Sequence, residues 1–473
     1  MGKTKKSSSS NKKTKQTKKA TNYEKLVLDM ADYMKTKPSS IFNPLYYYKD
    51  PVQHTIIRYN DSEAKEAYRE ALNVFGKYLL YDIPEVAGYY QARELPSSML
   101  NKYLELEEIS GKEGQDLAKK GTEGFTRGIA RYVKINYKLK YDITNGFTKL
   151  WELLNMVPSV ILDSKRLNIF HLAEAPGQWI NAMDYYLNSE LNENVDGYDW
   201  RATSLNAKHP ENIKKYGKDI FGDRYGLIAN NKKKWIWGED NTGDITSSTN
   251  QKWFRNYCRE WMSSIKDEKN KVGLVLGDGG LGGETSLELL EKLDLAQLIT
   301  VASVCGNGGN CIIKHFLPFS YKQKESIDAN GFYTSLIFLY TLLFKEVNLV
   351  KPNSSSPNSS EFYVVGLGFI GKNAREIYSR LLDLLDNFEV NMTMFPEDMI
   401  PSSFVKQFLG FVKSITQLND ENRLIKAGVY VCMREPSSGF KKNINCDKYM
   451  SGSFVGEIQS QRFKKWVEKT NFD

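Results

Sequence analysis

Short apolar runs alternate with helical segments between about residues 141 and 370, and this alternation restricts the fold more than any other feature. The runs have strand length, while the segments between them have the length and spacing of helices; examples are LNIFHLAEA, KVGLVLGD, NCIIKHF and EFYVVGLGF against TKLWELLNMV and LELLEKLDLAQLITVASV. Such alternation is typical of parallel strands joined by crossover helices. It predicts an α/β fold with a doubly wound sheet.

The flanking regions differ from this segment in composition and pattern. Residues 1–20 contain eight lysines and no acid, and we expect a disordered tail that acts either as a solubilising or localisation signal or as a non-specific RNA tether. Without the tail, the net charge of +8 falls close to zero. We predict a helical accessory region over 21–140, the α/β domain over 141–374 and a C-terminal accessory region over 375–473.

Several classes of protein are disfavoured by the composition. The five cysteines and four histidines are dispersed along the chain, so we expect no metal site. The most apolar stretch, residues 331–344, is too short to cross a bilayer, and we interpret it as a core helix. No signal-like apolar run begins the chain. We therefore expect no membrane association and an intracellular protein of the nucleus, the cytoplasm or a viral factory or virion, not a secreted one.

The segment HLAEAPGQWI places Ala175, Pro176 and Gly177 between an apolar strand and a helix that begins near Gln178. Small residues at a strand-to-helix turn let a ligand approach the backbone, although they also end strands for packing reasons. The turn lacks the GxGxxG pattern, which disfavours a dinucleotide. A nucleoside cofactor and simple packing both remain open at this point.

Three charged residues stand at strand edges. Asp278 follows an apolar strand and precedes several glycines, which suits a ligand contact or an ordinary turn. Lys314 ends an apolar run, as expected for a base with a lowered pKa or for a lysine that protects an edge strand. Glu361 opens a strand, for which capping at the surface is the default explanation.

The order of these residues is more specific than any one of them. Lys149 on a helix, the APG turn, Asp278, Lys314 and Glu361 follow one another in a chain that resembles the FtsJ-like, or RrmJ-like, RNA 2'-O-methyltransferases over roughly residues 141–370. The resemblance implies a Rossmann-like methyltransferase sheet, S-adenosylmethionine as cofactor, and a catalytic tetrad around the reacting ribose hydroxyl. Those four residues are Lys149, Asp278, Lys314 and Glu361.

Within that family the chain is most similar to the cap methyltransferases of the Adrift, or second-nucleotide, type. The similarity rests on HLAEAPGQWI, YDWRATSLNAKHPEN, WGEDNTGDIT and LVLGDGG. It implies that Ala175, Pro176 and Gly177 form the cofactor turn, with Gly177 against the methionine part. It further implies that Trp200 flanks the cofactor, that Asp240 or Asp244 contacts the adenosine, and that Asp278 serves both cofactor and ribose. Lys314 is the candidate base.

RNA, and most specifically a capped mRNA 5' end, is the partner that the resemblance implies. Two alternatives remain: an internal ribosomal or transfer RNA target, and an inactive cap- or RNA-binding subunit with the same fold. Aromatic residues offer stacking surfaces for a base, although core packing is their commoner role; they are Tyr46, Tyr47, Tyr48, Trp235 and Trp237.

Overall fold

The computed structural model describes most of the chain outside the first 24 residues. The predicted tail over 1–20 and the tyrosines at 46–48 lie outside the described residues. The described ranges are 25–34, 36–37, 51–58, 62–78, 97–122, 124–137, 139–161, 166–189, 195–217, 222–265, 271–280, 286–317, 330–434 and 452–472.

Seven strands and fourteen helices are present among the described residues. The strands are β1 (Val52–Arg58), β2 (Leu167–Leu172), β3 (Tyr198–Ala202), β4 (Val272–Gly277), β5 (Asn310–Phe316), β6 (Phe344–Lys351) and β7 (Glu361–Phe369). The helices are α1 (25–34), α2 (Ser62–Val74), α3 (Ser97–Thr122), α4 (Gly124–Tyr137), α5 (Asn145–Met156), α6 (Gln178–Leu187), α7 (Pro210–Tyr216), α8 (Leu227–Asn230), α9 (Ser248–Ser263), α10 (Leu287–Val304), α11 (Asn330–Leu343), α12 (Gly371–Asp386), α13 (Ser402–Arg434) and α14 (Gly452–Lys469).

All seven strands form one sheet in the order β1-β6-β7-β5-β4-β2-β3. The half that contains β3, β2, β4 and β5 is parallel, as the alternating pattern predicts. The half that contains β1, β6 and β7 is antiparallel. β7 lies between β5 and β6 and is antiparallel to both. The α/β class is confirmed, and the expectation of parallel strands is wrong for β7. Its apolar composition marks it as buried but carries no information on direction.

The helical expectation for residues 21–140 misses β1, which pairs antiparallel with β6 at the edge of the sheet. Its partner lies almost 300 residues further along the chain, so no local pattern reveals the pairing. The chain divides into two compact units whose bounds differ from the predicted domains. One contains 51–91, 129–415 and 469–473, and the other contains 1–50, 92–128 and 416–468.

The strands and helices predicted within the α/β segment are present, although α5 begins at Asn145, before the predicted helical segment. Helix α6 begins at Gln178, and β4 ends at Gly277, directly before Asp278. The apolar stretch at 331–344 forms most of α11, whose described side chains are buried. The last residue of the stretch, Phe344, opens β6. No helix among the described residues is long and apolar enough to cross a membrane.

Helix α5 is held by aromatic packing. The Trp151 ring lies within 4.9 to 5.7 Å of the rings of Tyr185, Tyr186 and Phe472. Its indole N–H donates to the Thr470 carbonyl at 2.9 Å, which satisfies a polar group that is otherwise buried. The last residues of the chain therefore help to fix the helix that carries Lys149.

The second unit has its own helical core. Buried side chains of α1 and α3 include Met30, Tyr103 and Leu106. The ion pair between Lys102 and Asp29, at 2.7 Å, joins these two helices. Helix α3 contains a break at Gly111, whose φ of 63° lies in the left-handed region that glycine adopts without a steric penalty.

Replacing Phe338 with alanine tests the core beneath the sheet. The side chain is fully buried on α11, and its ring lies 5.1 Å from Phe395 and 5.2 Å from Phe404. The cavity left behind is expected to lower the free energy of unfolding by about 3–5 kcal/mol in urea denaturation. Val390→Ala is the control, since that side chain is 44% exposed and its loss should change stability by less than about 0.5 kcal/mol. Equal effects of the two variants would contradict the assignment of the core.

Candidate active site

Strand order explains how residues far apart in sequence meet at one edge of the sheet. β4 and β5 are parallel neighbours, so Asp278 and Lys314 lie at their carboxyl ends. β7 runs antiparallel to β5, with Glu361 opposite Phe316, so the first residue of β7 reaches the same edge. The explanation of Lys314 as protection for an edge strand is wrong, because β5 is internal.

The four tetrad residues form two ion pairs. Lys149 Nζ lies 2.8 Å from Glu361 Oε1 and 2.9 Å from Oε2. Lys314 Nζ lies 3.0 Å from Asp278 Oδ1 and donates to the Asp278 backbone carbonyl at 2.8 Å. Each lysine is therefore oriented by a carboxylate. The expectation that Glu361 merely caps a strand at the surface is wrong, since it is only 6% exposed and paired.

Tyr363 joins the two ion pairs, and sequence reasoning missed it. Its hydroxyl donates to Asp278 Oδ1 at 3.2 Å or to Glu361 Oε1 at 3.1 Å. Burial, together with the two carboxylates, raises the pKa of Tyr363 well above its ordinary value, so the hydroxyl stays protonated as a donor. A strand places residues two apart on one face, and this spacing from Glu361 was the available signal.

Lys351 is a second residue that the sequence did not single out. It is buried at the end of β6 and donates to the carbonyls of Ser359 and Glu361, both at 2.8 Å, and to Ser355 Oγ at 3.1 Å. Burial lowers the pKa of Lys351 to about 7, while Glu361 raises it and Lys149 lowers it. Lys351 therefore holds the backbone at the start of β7 and adds to the field around Glu361.

The charges on Glu361 and Lys149 stabilise each other despite their burial. Burial alone raises the pKa of Glu361, but Lys149, Lys314 and Lys351 outweigh it and bring the pKa to about 2. Burial alone lowers the pKa of Lys149, but Glu361 and Asp278 outweigh it and raise that pKa. At neutral pH this pair is therefore a carboxylate and an ammonium.

The loop between β6 and β7 is tied to α5, one turn beyond Lys149. Glu152 accepts hydrogen bonds from the backbone N–H groups of Asn353 and Ser354, at 2.8 and 2.9 Å, and from the Ser354 hydroxyl at 2.7 Å. The polar composition of this loop suggests a solvent-facing connection, yet Ser354 and Ser355 are buried. Glu152 supplies the partners that make this burial possible.

A cavity adjoins Asp278 at the same edge of the sheet. Its lining combines small residues with charged and polar groups, including Ala175, Ser204, Asp244, Thr246, Asp278 and Gly280. Gly280 is significant because a Cβ there would lie 2.9 Å from Lys314 Nζ, so the missing side chain leaves the amine approachable. A Cβ on Gly243, whose φ is 72°, would lie 1.7 Å from the Ser204 carbonyl oxygen, and only glycine fits there.

Only some of the residues expected around the cofactor line this cavity. Ala175, Asp244 and Asp278 line the cavity, whereas Pro176, Gly177, Trp200 and Asp240 are absent from its lining. Gly177 instead caps the N-terminus of α6 with a φ of 107°, and a Cβ on it would lie 2.3 Å from Leu227 Cδ1. Trp200 is buried within β3.

Asp240 shapes the turn that presents Asp244. Its Oδ1 accepts from the backbone N–H and hydroxyl of Thr242 at 2.9 and 2.7 Å, and from Asn250 Nδ2 at 3.0 Å. Asn250 Nδ2 also donates to the Asp244 carbonyl at 3.0 Å. This network positions Asp244 at the cavity and leaves Asp240 behind it.

Gln178, the first residue of α6, also lies near the site. The Thr144 hydroxyl donates to its Oε1 at 2.8 Å, while its buried Nε2 has no hydrogen-bond partner among the described residues. A Cβ on Gly146 would touch both Gln178 and Asp278 Oδ2, at 3.5 and 3.7 Å, so the two side chains are neighbours. Across the described ranges no group of three or more His, Cys, Asp or Glu side chains is arranged to hold a metal.

A charged cluster at the carboxyl ends of β4 and β5 lies beside a cavity lined by small residues, which is where open α/β sheets place their ligand sites. The sequence profile of the FtsJ-like methyltransferase family matches residues 143–369. This segment, which contains all four tetrad residues, therefore belongs to the FtsJ-like methyltransferase family.

Similar proteins come from animals and from large DNA viruses. The cap-specific mRNA (nucleoside-2'-O-)-methyltransferase 2 of Pongo abelii is 31% identical over 56% of this chain and 32% of its own length. An uncharacterised protein of Acanthamoeba polyphaga mimivirus is 28% identical over 62% of this chain and 34% of its own. A probable methyltransferase of African swine fever virus is 25% identical over 63% of this chain and 67% of its own length. The chain thus spans about a third of the length of the first two relatives.

The low pKa of Glu361 predicts a specific dependence of stability on pH. A folded-state pKa of about 2 lies below the ordinary glutamate value, so the charged form stabilises the fold at neutral pH and this stabilisation is lost as the pH falls toward 2. Urea denaturation of the native protein and of Glu361→Gln measures the effect. The stability difference between them should shrink by about 1 kcal/mol from pH 7 to about pH 3.5. A difference that stays constant with pH would contradict the pairing.

Proposed function

We propose that this chain is an S-adenosylmethionine-dependent enzyme that methylates a ribose 2'-hydroxyl of RNA close to the 5' cap of mRNA. The observation that carries the proposal is the pair of lysine–carboxylate contacts, joined by Tyr363, beside the cavity at Asp278. The name of the Pongo abelii relative supports the cap as the target.

The cavity residues fit a nucleoside cofactor with a sulfonium centre. When bound, S-adenosylmethionine supplies an electrophilic methyl group. Ala175 and Asp244 would hold it together with Asp278, and the small residues allow it to approach the backbone. Gly177 and Pro176 would act through the shape of the turn, and Trp200 and Asp240 through packing and turn geometry behind the cavity.

Orientation of the ribose hydroxyl is the main task that remains for the protein. Methyl transfer requires the attacking oxygen, the methyl carbon and the sulfur to lie in line, so positioning supplies much of the rate. The Lys149 ammonium and the Tyr363 hydroxyl are donors fixed at Glu361 and Asp278. They hold the tetrad in one arrangement, so no reorganisation is needed when the substrate binds.

Lys314 is the residue that receives the proton in this proposal. As the bond from the 2'-oxygen to the methyl carbon forms and the carbon–sulfur bond breaks, the hydroxyl proton passes to the nitrogen lone pair of Lys314. Asp278 holds this nitrogen through its side chain and its backbone carbonyl, and Gly280 leaves one side of it open. The lysine is thereby aimed at the space beside Asp278.

The alternative functions differ in target and in activity. An internal ribosomal or transfer RNA target would use the same tetrad, because the chemistry at the ribose is identical. An inactive cap- or RNA-binding subunit would have no use for four paired charges at one sheet edge, so the arrangement favours an enzyme. An RNA substrate implies action inside a cell, in the nucleus, the cytoplasm or a viral factory.

Replacing Lys314 with alanine is expected to lower methyl transfer by at least about 100-fold, the usual contribution of a positioned base. Asp278→Ala should cause a comparable loss. Far-UV circular dichroism should report an unchanged fold in both variants. Lys345→Ala is the matched control, because this lysine lies exposed on β6, and it should retain full activity. Full activity in Lys314→Ala would remove that residue from the mechanism.

A 2'-deoxy substitution at the acceptor nucleotide should abolish methyl acceptance, because it removes the nucleophile. The assay uses a radiolabelled methyl donor with short capped and uncapped transcripts, followed by nuclease digestion to locate the methylated nucleotide. Label in the first nucleotides of capped transcripts supports the cap target. Label at internal positions supports the alternative RNA target, and label in deoxy-substituted RNA would indicate methylation of a base.

A further inference from the structure

A second cavity lies beside the proposed cofactor cavity and has no role in the tetrad chemistry. It has a volume of about 470 Å³, and its walls are largely apolar, formed by Ala207, Ile228, Ala229, Trp235 and Trp237. This volume falls in the range of small-molecule sites and is ample for one nucleotide. Its two tryptophans define it as the indole cavity.

The two indole rings differ in how firmly they are held. Trp235 is 3% exposed, and its Nε1 donates to the Leu227 carbonyl at 3.2 Å. Trp237 is half-buried, and its ring lies nearly parallel to that of Trp235, at 5.9 Å between centroids and 19° between planes. Trp235 thus forms a fixed wall, and Trp237 is a partly exposed aromatic residue in the cavity lining. Such residues stack with unpaired nucleic-acid bases.

Positive charge accompanies the aromatic walls. Lys208 and Lys232 line the indole cavity, both are exposed, and neither forms an ion pair with a described residue. The one carboxylate of the lining, Asp223, accepts hydrogen bonds from the backbone N–H groups of Ile228 and Ala229 at 2.9 and 2.8 Å. The lysines therefore remain available for an anion such as a phosphate.

The position of the indole cavity excludes the acceptor ribose as its occupant. Leu205 lines the cofactor cavity and the next residue, Asn206, lines the indole cavity, so the two share a wall. The bridge from Ala202 to Trp235 places the indole wall beside β3, the edge strand. β2 and β4 lie between β3 and β5, which carries Lys314. A base bound there belongs to a nucleotide other than the one methylated.

We propose that the indole cavity binds a nucleobase of the RNA substrate, stacked on Trp237, with the adjoining phosphate held by Lys208 and Lys232. The proposal rests on the proposed RNA methyltransferase function and adds a site for a second nucleotide of the same RNA. Two sources supply this chemistry, the cap guanosine and a transcribed nucleotide.

Equilibrium binding of fluorescently labelled RNA, followed by anisotropy, tests the site without any need for methyl transfer. Trp237→Ala should weaken binding about 10-fold, the effect of losing one base stack. Trp237→Phe should stay within about threefold of the native protein, because it keeps an aromatic face. Trp253→Ala is the matched control, since this half-buried tryptophan on α9 stacks on Tyr257 instead, and it should leave RNA affinity unchanged.

The lysines are tested through the salt dependence of the same binding. Removing both in Lys208→Ala/Lys232→Ala should reduce the slope of log Kd against log salt by about one for each phosphate that the protein no longer neutralises. An unchanged slope would overturn the assignment of the two lysines to a phosphate.

The source of the base follows from comparing capped and uncapped RNA of one sequence. An effect of Trp237→Ala on capped RNA alone assigns the cavity to the cap guanosine, and an equal effect on both assigns it to a transcribed nucleotide. Native affinity for both RNAs in Trp237→Ala, or an equal loss in Trp253→Ala, would overturn the site. Because the readout is binding, its result stays separate from methyl transfer: an RNA-binding protein that transfers no methyl group would contradict the proposed function alone.

Discussion

The buried carboxylate of Glu361 is the group on which the arrangement of the site depends. A lone charge in such a position would be strongly destabilising, and Glu361 remains ionised only because three lysines approach it from different elements. Lys149 comes from a helix, Lys314 from the neighbouring strand and Lys351 from the end of β6. Loss of this one charge would leave the buried ammonium of Lys149 without its ion-pair partner. The tetrad is thus a single electrostatic unit in which each charge makes the others tolerable.

That unit also needs mechanical support, because ion pairs are effective only at short distance. Glu152 binds the loop before β7 from α5, while Lys351 binds the carbonyls of Ser359 and Glu361 from β6. The loop between β6 and β7 is therefore fastened at both ends. Its serines and asparagines, which are typical of a surface connection, act as hydrogen-bond partners for buried charges. Lys149, placed by a helix and not by a strand, is in this way fixed relative to Glu361.

The sequence predicted the parts of the site that follow from local pattern. Strand-end residues such as Asp278 were found because the carboxyl ends of parallel strands meet at one edge. Tyr363 and Lys351 were missed, since their roles arise from contacts across the sheet that no local pattern encodes. The same limit applies to β1 and to the antiparallel direction of β7. Lys149 came from family resemblance and a helix match, and only the fold explains why it reaches Glu361.

Residues from 202–217 line both the proposed cofactor cavity and the indole cavity, and residues from 222–237 line the indole cavity. Leu205 lines the proposed cofactor cavity and Asn206 lines the indole cavity. Leu227 lies against Gly177 at the turn before α6, and the next residue, Ile228, lines the indole cavity. These neighbouring residues are covalently linked, so a base in the indole cavity would contact the same segments that line the proposed cofactor cavity. Binding energy gained from a remote nucleotide would then help to order the cofactor turn, which is how contacts away from the reacting atoms contribute to rate.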